Sequence, residues 1–257
     1  MPIEIVTGAE AQANVAGMPA NVLVYGGPGT GKTTDAVTMF TRDGRCSAFY
    51  IPFEDGALKP ILARGLPVPD GPKLAVKTWP ALCEALQWLL EHHRNYTGVI
   101  LDGLTPFSAY IYSAEQQRGH KNKFDVPLIV RQNLFNLREW IRQLGLHSIF
   151  IAHAEPPAVQ EGVFYHGAMK LAPRSIVREY FGQIDTVLRV DWLQVPGRAP
   201  MRVYYTGGED WPTSLGPILP PDLRHRLVKN REGCNQAVVP ADLGAFLRSR
   251  RPAYTGL

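Results

Sequence analysis

Eight residues near the amino end carry the most legible chemistry in this chain, Gly26-Gly27-Pro28-Gly29-Thr30-Gly31-Lys32-Thr33. They fit the pattern G-x-x-x-x-G-K-[ST]. Glycines let a short loop curl until successive backbone N–H groups face one anion. A helix starting at the end of the loop aims its positive end at the same point. Lys32 is then placed to bridge the β- and γ-phosphates of a nucleoside triphosphate, and Thr33 to offer its hydroxyl to Mg²⁺. Gly26 through Thr33, with the adjoining Thr34, are the expected nucleotide-binding residues.

Two acids could complete such a site. Gly98-Val99-Ile100-Leu101-Asp102 reads as a buried strand that delivers a carboxylate to the carboxyl edge of a sheet. Asp102 could there hold Mg²⁺ through water, alongside Thr33. Hydrolysis also needs a group that orients the attacking water. The residue after Asp102 is Gly103, so the adjacent position is empty, and the alternative is Glu54, at the end of the apolar run Cys46–Phe53 within FYIPFEDGA. The same Glu54 also reads as a solvated loop acid beside Asp55.

Elements that would position these groups follow from periodicity. Buried strands are expected at Asn21–Tyr25, Cys46–Phe53, Gly98–Leu101 and Ser148–Ala152, with a short one at Leu74–Lys77. Helices are expected at Lys32–Phe40, Pro80–His92 and Pro127–Leu144. In the last of these Val130, Leu134, Leu137, Ile141 and Leu144 recur at helical spacing, and Gly145 stands at the C-cap. Thr186–Trp192 and Met201–Thr206 alternate like an antiparallel pair, and Pro240–Arg250 reads as a short terminal helix. Alternating strands and helices predict an α/β fold with a mostly parallel sheet and antiparallel strands added near the carboxyl end. We read residues 1–257 as one domain, with a core at about 17–235 and a short helical extension over 236–257.

Composition narrows the class. Apolar residues make up 45% and charged residues 19% of 257, which is a folded and not a disordered composition. Three scattered cysteines, Cys46, Cys83 and Cys234, argue against a disulfide framework and fit a reducing, cytoplasmic setting. No apolar run approaches the roughly 20 residues of a membrane helix, and MPIEIVTGAE is acidic where a secretory leader is basic. The net charge is +4, and residues 171–257 hold the whole excess, with 12 basic against 8 acidic side chains. That permits a polyanion partner without requiring one.

At this point the chain resembles the RecA-type ATPases. Phosphate loop, strand-ending Glu, strand-ending Asp and a later polar strand tip come in that order. The resemblance implies a three-layer RecA-like core, ATP and Mg²⁺ as ligands, Glu54 as the water-orienting base beside Lys32 and Asp102, and a γ-phosphate sensor at His153. A glutamine stands there in RecA, and His153 also reads as a satisfied structural histidine. Lys229-Asn230-Arg231-Glu232-Gly233 is similar to the KNRFG-type segment of RadA and the Lys-x-Arg segment of DnaB-type helicases, with Glu232 in place of the Phe. It implies that Lys229 and Arg231 reach a neighbouring subunit's nucleotide, and hence a homo-oligomer, ring or filament. A basic turn is the plainer reading of the same five residues. The overall order is similar to small phage-encoded RecA-like ATPases of the single-strand annealing and recombination group.

In that family, DNA-contacting loops follow the two strands that end in Asp102 and His153. The matching segments are Ser113–Val126, with Arg118, Lys121, Lys123 and Phe124, and Glu155–Arg174, with Phe164, Tyr165 and Lys170. Cations can follow a phosphate backbone and aromatic faces can stack on unpaired bases, so single-stranded DNA is the expected partner. Ordinary solvated loops or an oligomer contact fit the same residues. Three functions remain open: an oligomeric Mg-dependent ATPase acting on single-stranded DNA, a P-loop kinase of a small molecule or nucleotide, and a nucleotide-gated assembly module with negligible turnover.

Overall fold

The computed structural model describes residues 18–122, 124–156, 158–160, 163–165, 167–194, 197–206, 229–230 and 238–250. An eight-stranded sheet runs through the middle. Its parallel strands are β1 (Asn21–Gly26), β4 (Ala48–Pro52), β5 (Gly98–Asp102), β6 (His147–His153) and β9 (Thr186–Leu193). Antiparallel strands β10 (Met201–Tyr205), β11 (Lys229–Asn230) and β12 (Val238–Pro240) extend it. The spatial order is β12-β10-β9-β1-β6-β5-β4, with β11 also on β9. Two small hairpins lie outside it, β2 (Thr41–Arg42) with β3 (Arg45–Cys46), and β7 (Ala158–Gln160) with β8 (Val163–Tyr165).

Every residue of β1, β4 and β5 is buried, because both faces of the sheet are covered. Alternate side chains divide between two cores. Leu23, Ile51, Leu101 and Phe150 meet α3 (Trp79–His92), α4 (Leu104–Gln117), α5 (Asp125–Gln143) and α6 (Val177–Gln183). Val22, Val24, Ile100 and Ile149 meet α1 (Lys32–Met39), α2 (Lys59–Ala63) and α7 (Leu243–Arg250). This is the three-layer α/β fold with a mostly parallel sheet that the sequence predicts. The caps are where the residues put them. Thr78 Oγ1 accepts the Ala81 N–H at 3.3 Å to open α3, and Gly145, at φ +69°, follows α5.

Three expectations need correction. Leu74–Lys77 is not a strand. Leu74 is 81% exposed, and the stretch 70–76 instead caps the free edge of β4, where Tyr50 N–H donates to Asp70 O and Val76 N–H to Pro52 O, both at 2.8 Å. The run Cys46–Phe53 is broken at Ser47, since Arg45 and Cys46 pair with β2 and not with the sheet. Finally, much of Ser113–Val126 is helical. Residues 113–117 finish α4 and 125–126 start α5. The turn between them is tied down by Glu115, 6% exposed, whose carboxylate accepts from Arg118 at 2.6 Å and meets His120 at 2.9 Å.

Leu134 on α5 is fully buried, whereas Leu128 on the same helix is 52% exposed. Leu134→Ala is expected to cost about 2–5 kcal/mol in denaturant unfolding, and Leu128→Ala no more than about 0.5 kcal/mol.

Candidate nucleotide and metal site

Residues 27–31 connect β1 to α1 at the carboxyl edge of the sheet. Gly29 and Gly31 take φ of +73° and +82°, a conformation that favours glycine. A Cβ at Gly29 would meet nothing within 4 Å, so no other group crowds the loop at that point. Lys32 is 7% exposed, and its Nζ donates to the carbonyls of Gly26 at 3.0 Å and Gly27 at 2.7 Å. Burial pulls its pKa below the ordinary lysine value, opposed by the charges of Asp102 and Glu54.

Strand β6 lies between β1 and β5, so Asp102 stands two strands from the loop. Even so, Thr33 Oγ1 donates to Asp102 Oδ2 at 2.7 Å. Tyr50 Oη, from β4, donates to the same oxygen at 2.6 Å. Asp102 is 5% exposed, and burial raises its pKa while both hydroxyls lower it. A buried hard carboxylate beside a threonine hydroxyl, at the mouth of an anion-shaped loop, suits an oxygen-coordinated cation such as Mg²⁺.

The tips of β4 and β6 supply the remaining groups. Phe53 N–H donates to Asp102 O at 2.7 Å, and its buried ring stacks on Phe107 with centroids 4.3 Å apart. Glu54 therefore leaves the sheet from a rigid base. Its Oε1 lies 2.7 Å from His153 Nε2. That hydrogen bond is the main reason the Glu54 pKa lies below its ordinary value, with burial opposing and the charges of His153 and Lys32 assisting. His153 is wired on three sides, because its N–H donates to Thr105 Oγ1 at 2.9 Å and its carbonyl accepts from Lys170 N–H at 2.9 Å. Gly103, at φ +98°, leaves room for this pair, since a Cβ there would lie 2.8 Å from Glu54 Cγ.

Lys32, Thr33, Thr34, Glu54, Asp102 and His153 thus line one pocket of about 350 Å³ together with Pro28, Gly29 and Gly31. Sequence reasoning missed Tyr50, which sits inside an apolar run, and the far wall of the pocket, made by Ala57, Pro60, Ala63 and Arg64 around α2. It also missed that Glu54 and His153 touch, since nothing local relates residues 99 positions apart.

Other expected residues lie elsewhere. Lys229 pairs with Val187 near the start of β9, whereas Gly26 pairs with Val190. That register sets the Lys229 backbone roughly 10 Å along the strand from the loop. Arg231 lies outside the described residues, as does Lys123. Lys121 is exposed and Phe124 is 70% exposed. Arg118 is engaged by Glu115. Phe164 and Tyr165 fall in β8, and Lys170 is exposed beside the tip of β6.

The Glu54–His153 contact has a pH signature. A carboxyl whose pKa is lowered by folding stabilises the fold above its unfolded value, and that contribution disappears as pH falls through the folded value. The melting temperature of the native chain should exceed that of His153→Ala near pH 7, and the difference should shrink below pH 4.5, the ordinary Glu value. A constant difference down to strongly acidic pH would show that the pair does not control Glu54.

Among solved structures, the chain is similar to a KaiC-like protein from the hyperthermophilic archaeon Pyrococcus horikoshii, with 14% identity, 74% of this chain and 77% of that one covered, and a TM-score of 0.41. It is also similar to the RadB recombinase, with 18% identity, 73% and 80% covered, and a TM-score of 0.42. No curated protein matches it. Among the described residues, no helix is long and apolar enough to cross a membrane. The AAA domain family model matches residues 18–210, a span that takes in the phosphate loop, both acids and His153, and the chain belongs to that family.

Proposed function

We propose that the chain is a Mg-dependent ATPase that works as a homo-oligomer on single-stranded DNA. The observation that carries the catalytic part is the meeting of Thr33 with Asp102 and of Glu54 with His153 in the pocket that the phosphate loop lines. Gly26 through Thr34 bind the triphosphate, and Lys32 bridges its β- and γ-phosphates. Thr33, and Asp102 through water, would hold Mg²⁺, which would neutralise charge developing on the phosphate oxygens. Glu54, kept ionised by its low pKa, accepts the proton of the attacking water. His153 orients Glu54 and reports the γ-phosphate. Lys229 and Arg231 serve the site of a neighbouring subunit, in keeping with the Lys229 backbone lying away from the loop of its own chain. Lys121, Lys123, Phe124, Phe164, Tyr165 and Lys170 face the nucleic acid, and Arg118 joins them once released from Glu115.

The pocket also favours a second reading. It continues past Glu54 to Pro60, Ala63 and Arg64, which is space an acceptor substrate could use, and phosphoryl transfer to a small molecule would employ the same loop.

Glu54→Gln should lower ATP turnover by about 10²–10⁴-fold, the usual worth of a general base, while ATP binding persists; Lys32→Ala should lose binding. Unchanged turnover in Glu54→Gln leaves only a nucleotide-gated module. Phosphate release without any acceptor favours the ATPase over the kinase. Oligonucleotides of single-stranded DNA should raise turnover, and no response with no shift of labelled oligonucleotide removes the DNA role. Mixing Lys32→Ala with Arg231→Ala chains should restore part of the activity, because a mixed interface pairs two intact halves.

A further inference from the structure

The convex side of the phosphate loop is held by charges that the catalytic scheme does not use. Asp35 lies in the first turn of α1, the helix whose amino end faces the anion, and its side chain is 8% exposed. A buried acid there opposes anion binding. From β10, at the other side of β9, Arg202 reaches back to it, with Nη2 2.5 Å from Asp35 Oδ1. The same guanidinium donates to Thr30 O at 3.4 Å and to Ala241 O at 2.8 Å, in the turn that leads to α7. Tyr204, two residues on and on the same face of β10, donates to Asp35 Oδ2 at 2.5 Å. Burial raises the Asp35 pKa, the Asp242 charge assists, and Arg202 and Tyr204 oppose. Gly31 completes the fit, because the Arg202 guanidinium occupies the space a Cβ at Gly31 would need.

We propose that Arg202 is a positioning residue for the phosphate loop, neutralising Asp35 and holding the Thr30–Gly31 peptide in its anion-ready curl from behind. The planar fork of arginine meets a carboxylate and two carbonyls at once, which a lysine ammonium on its flexible stem does not. The inference rests on reading residues 26–33 as a nucleotide loop, but its geometry does not depend on turnover. It also gives the antiparallel extension of the sheet a role at the site, by tying β10 and the entrance of α7 to the loop.

Two measurements test this. One is titration with a fluorescent ATP analogue, and the other, measured without added nucleotide, is hydrogen exchange of the Asp35 amide, which donates to Gly31 O at 3.0 Å. Arg202→Gln should weaken the analogue roughly tenfold, at the low end of what outer partners of a site cost, and should speed exchange at Asp35. Arg202→Lys should fall between Arg202→Gln and the native chain. Leu247→Ala, in fully buried α7 packing, should lower the melting temperature yet keep the dissociation constant within about twofold. The proposal is overturned if Arg202→Gln keeps native affinity and exchange, or if Leu247→Ala weakens binding as much at equal loss of stability. If Arg202→Gln does not fold, Arg202→Lys decides on the same two readouts. If the native chain binds no nucleotide, the function proposed above fails, and Asp35 exchange still tests the clamp.

Discussion

A carboxylate taken out of water must be met by donors, and Asp102 is the acid on which this site turns. Two hydroxyls, Thr33 from α1 and Tyr50 from β4, converge on one of its oxygens. They close a gap that the strand order would otherwise leave open, because β6 separates β1 from β5 by two strand spacings, about 10 Å. The contact demands a strict register. Tyr50 pairs with Ile100 and Pro52 with Asp102, which puts the Tyr50 and Asp102 side chains on the α1 face of the sheet. A one-residue slip of β5 would turn Asp102 into the opposite core.

The tip of β6 gives the second half of the site its rigidity. Gly26 O accepts from Ala154 N–H at 3.1 Å, and Lys170 N–H closes on His153 O. The excursion that contains β7 and β8 therefore leaves and returns beside the phosphate loop. Arg189, a residue only 4% exposed, strengthens its root by donating from Nη1 to Gly167 O at 2.7 Å. Tyr25, the residue before the loop, packs near that guanidinium, and burial pushes its hydroxyl up to about 12. Neighbouring strand ends are thus joined by polar contacts where the chain would otherwise fray.

Charge is placed with the same economy behind the loop. Asp35, Arg202 and Tyr204 form a cluster whose members are costly to bury singly and acceptable together. Breaking one partner leaves the others unmet, so the cluster favours one arrangement of β10, α1 and α7 over near alternatives. Glu115 does similar work at a distance, where its buried carboxylate gathers Arg118 and His120 and shapes the turn between α4 and α5.

The sequence alone determined the parallel core, since continuous apolar runs such as Asn21–Tyr25 and Gly98–Leu101 have no stable place except between two helical layers. It also determined the phosphate loop, because few backbones besides a Gly-rich curl tolerate that spacing of glycines before a Lys and a Thr. Glu54, Asp102 and His153 were legible as strand-end groups. Their mutual distances were not, because strand order and register are set by packing among residues far apart in the chain. Tertiary structure alone decided that Tyr50 faces Asp102, that Arg202 stands behind Gly31, and that Leu74–Lys77 covers an edge without becoming a strand. In each case the deciding partner is a buried polar group or a free sheet edge supplied by another segment, and local propensity contains no information about such a partner.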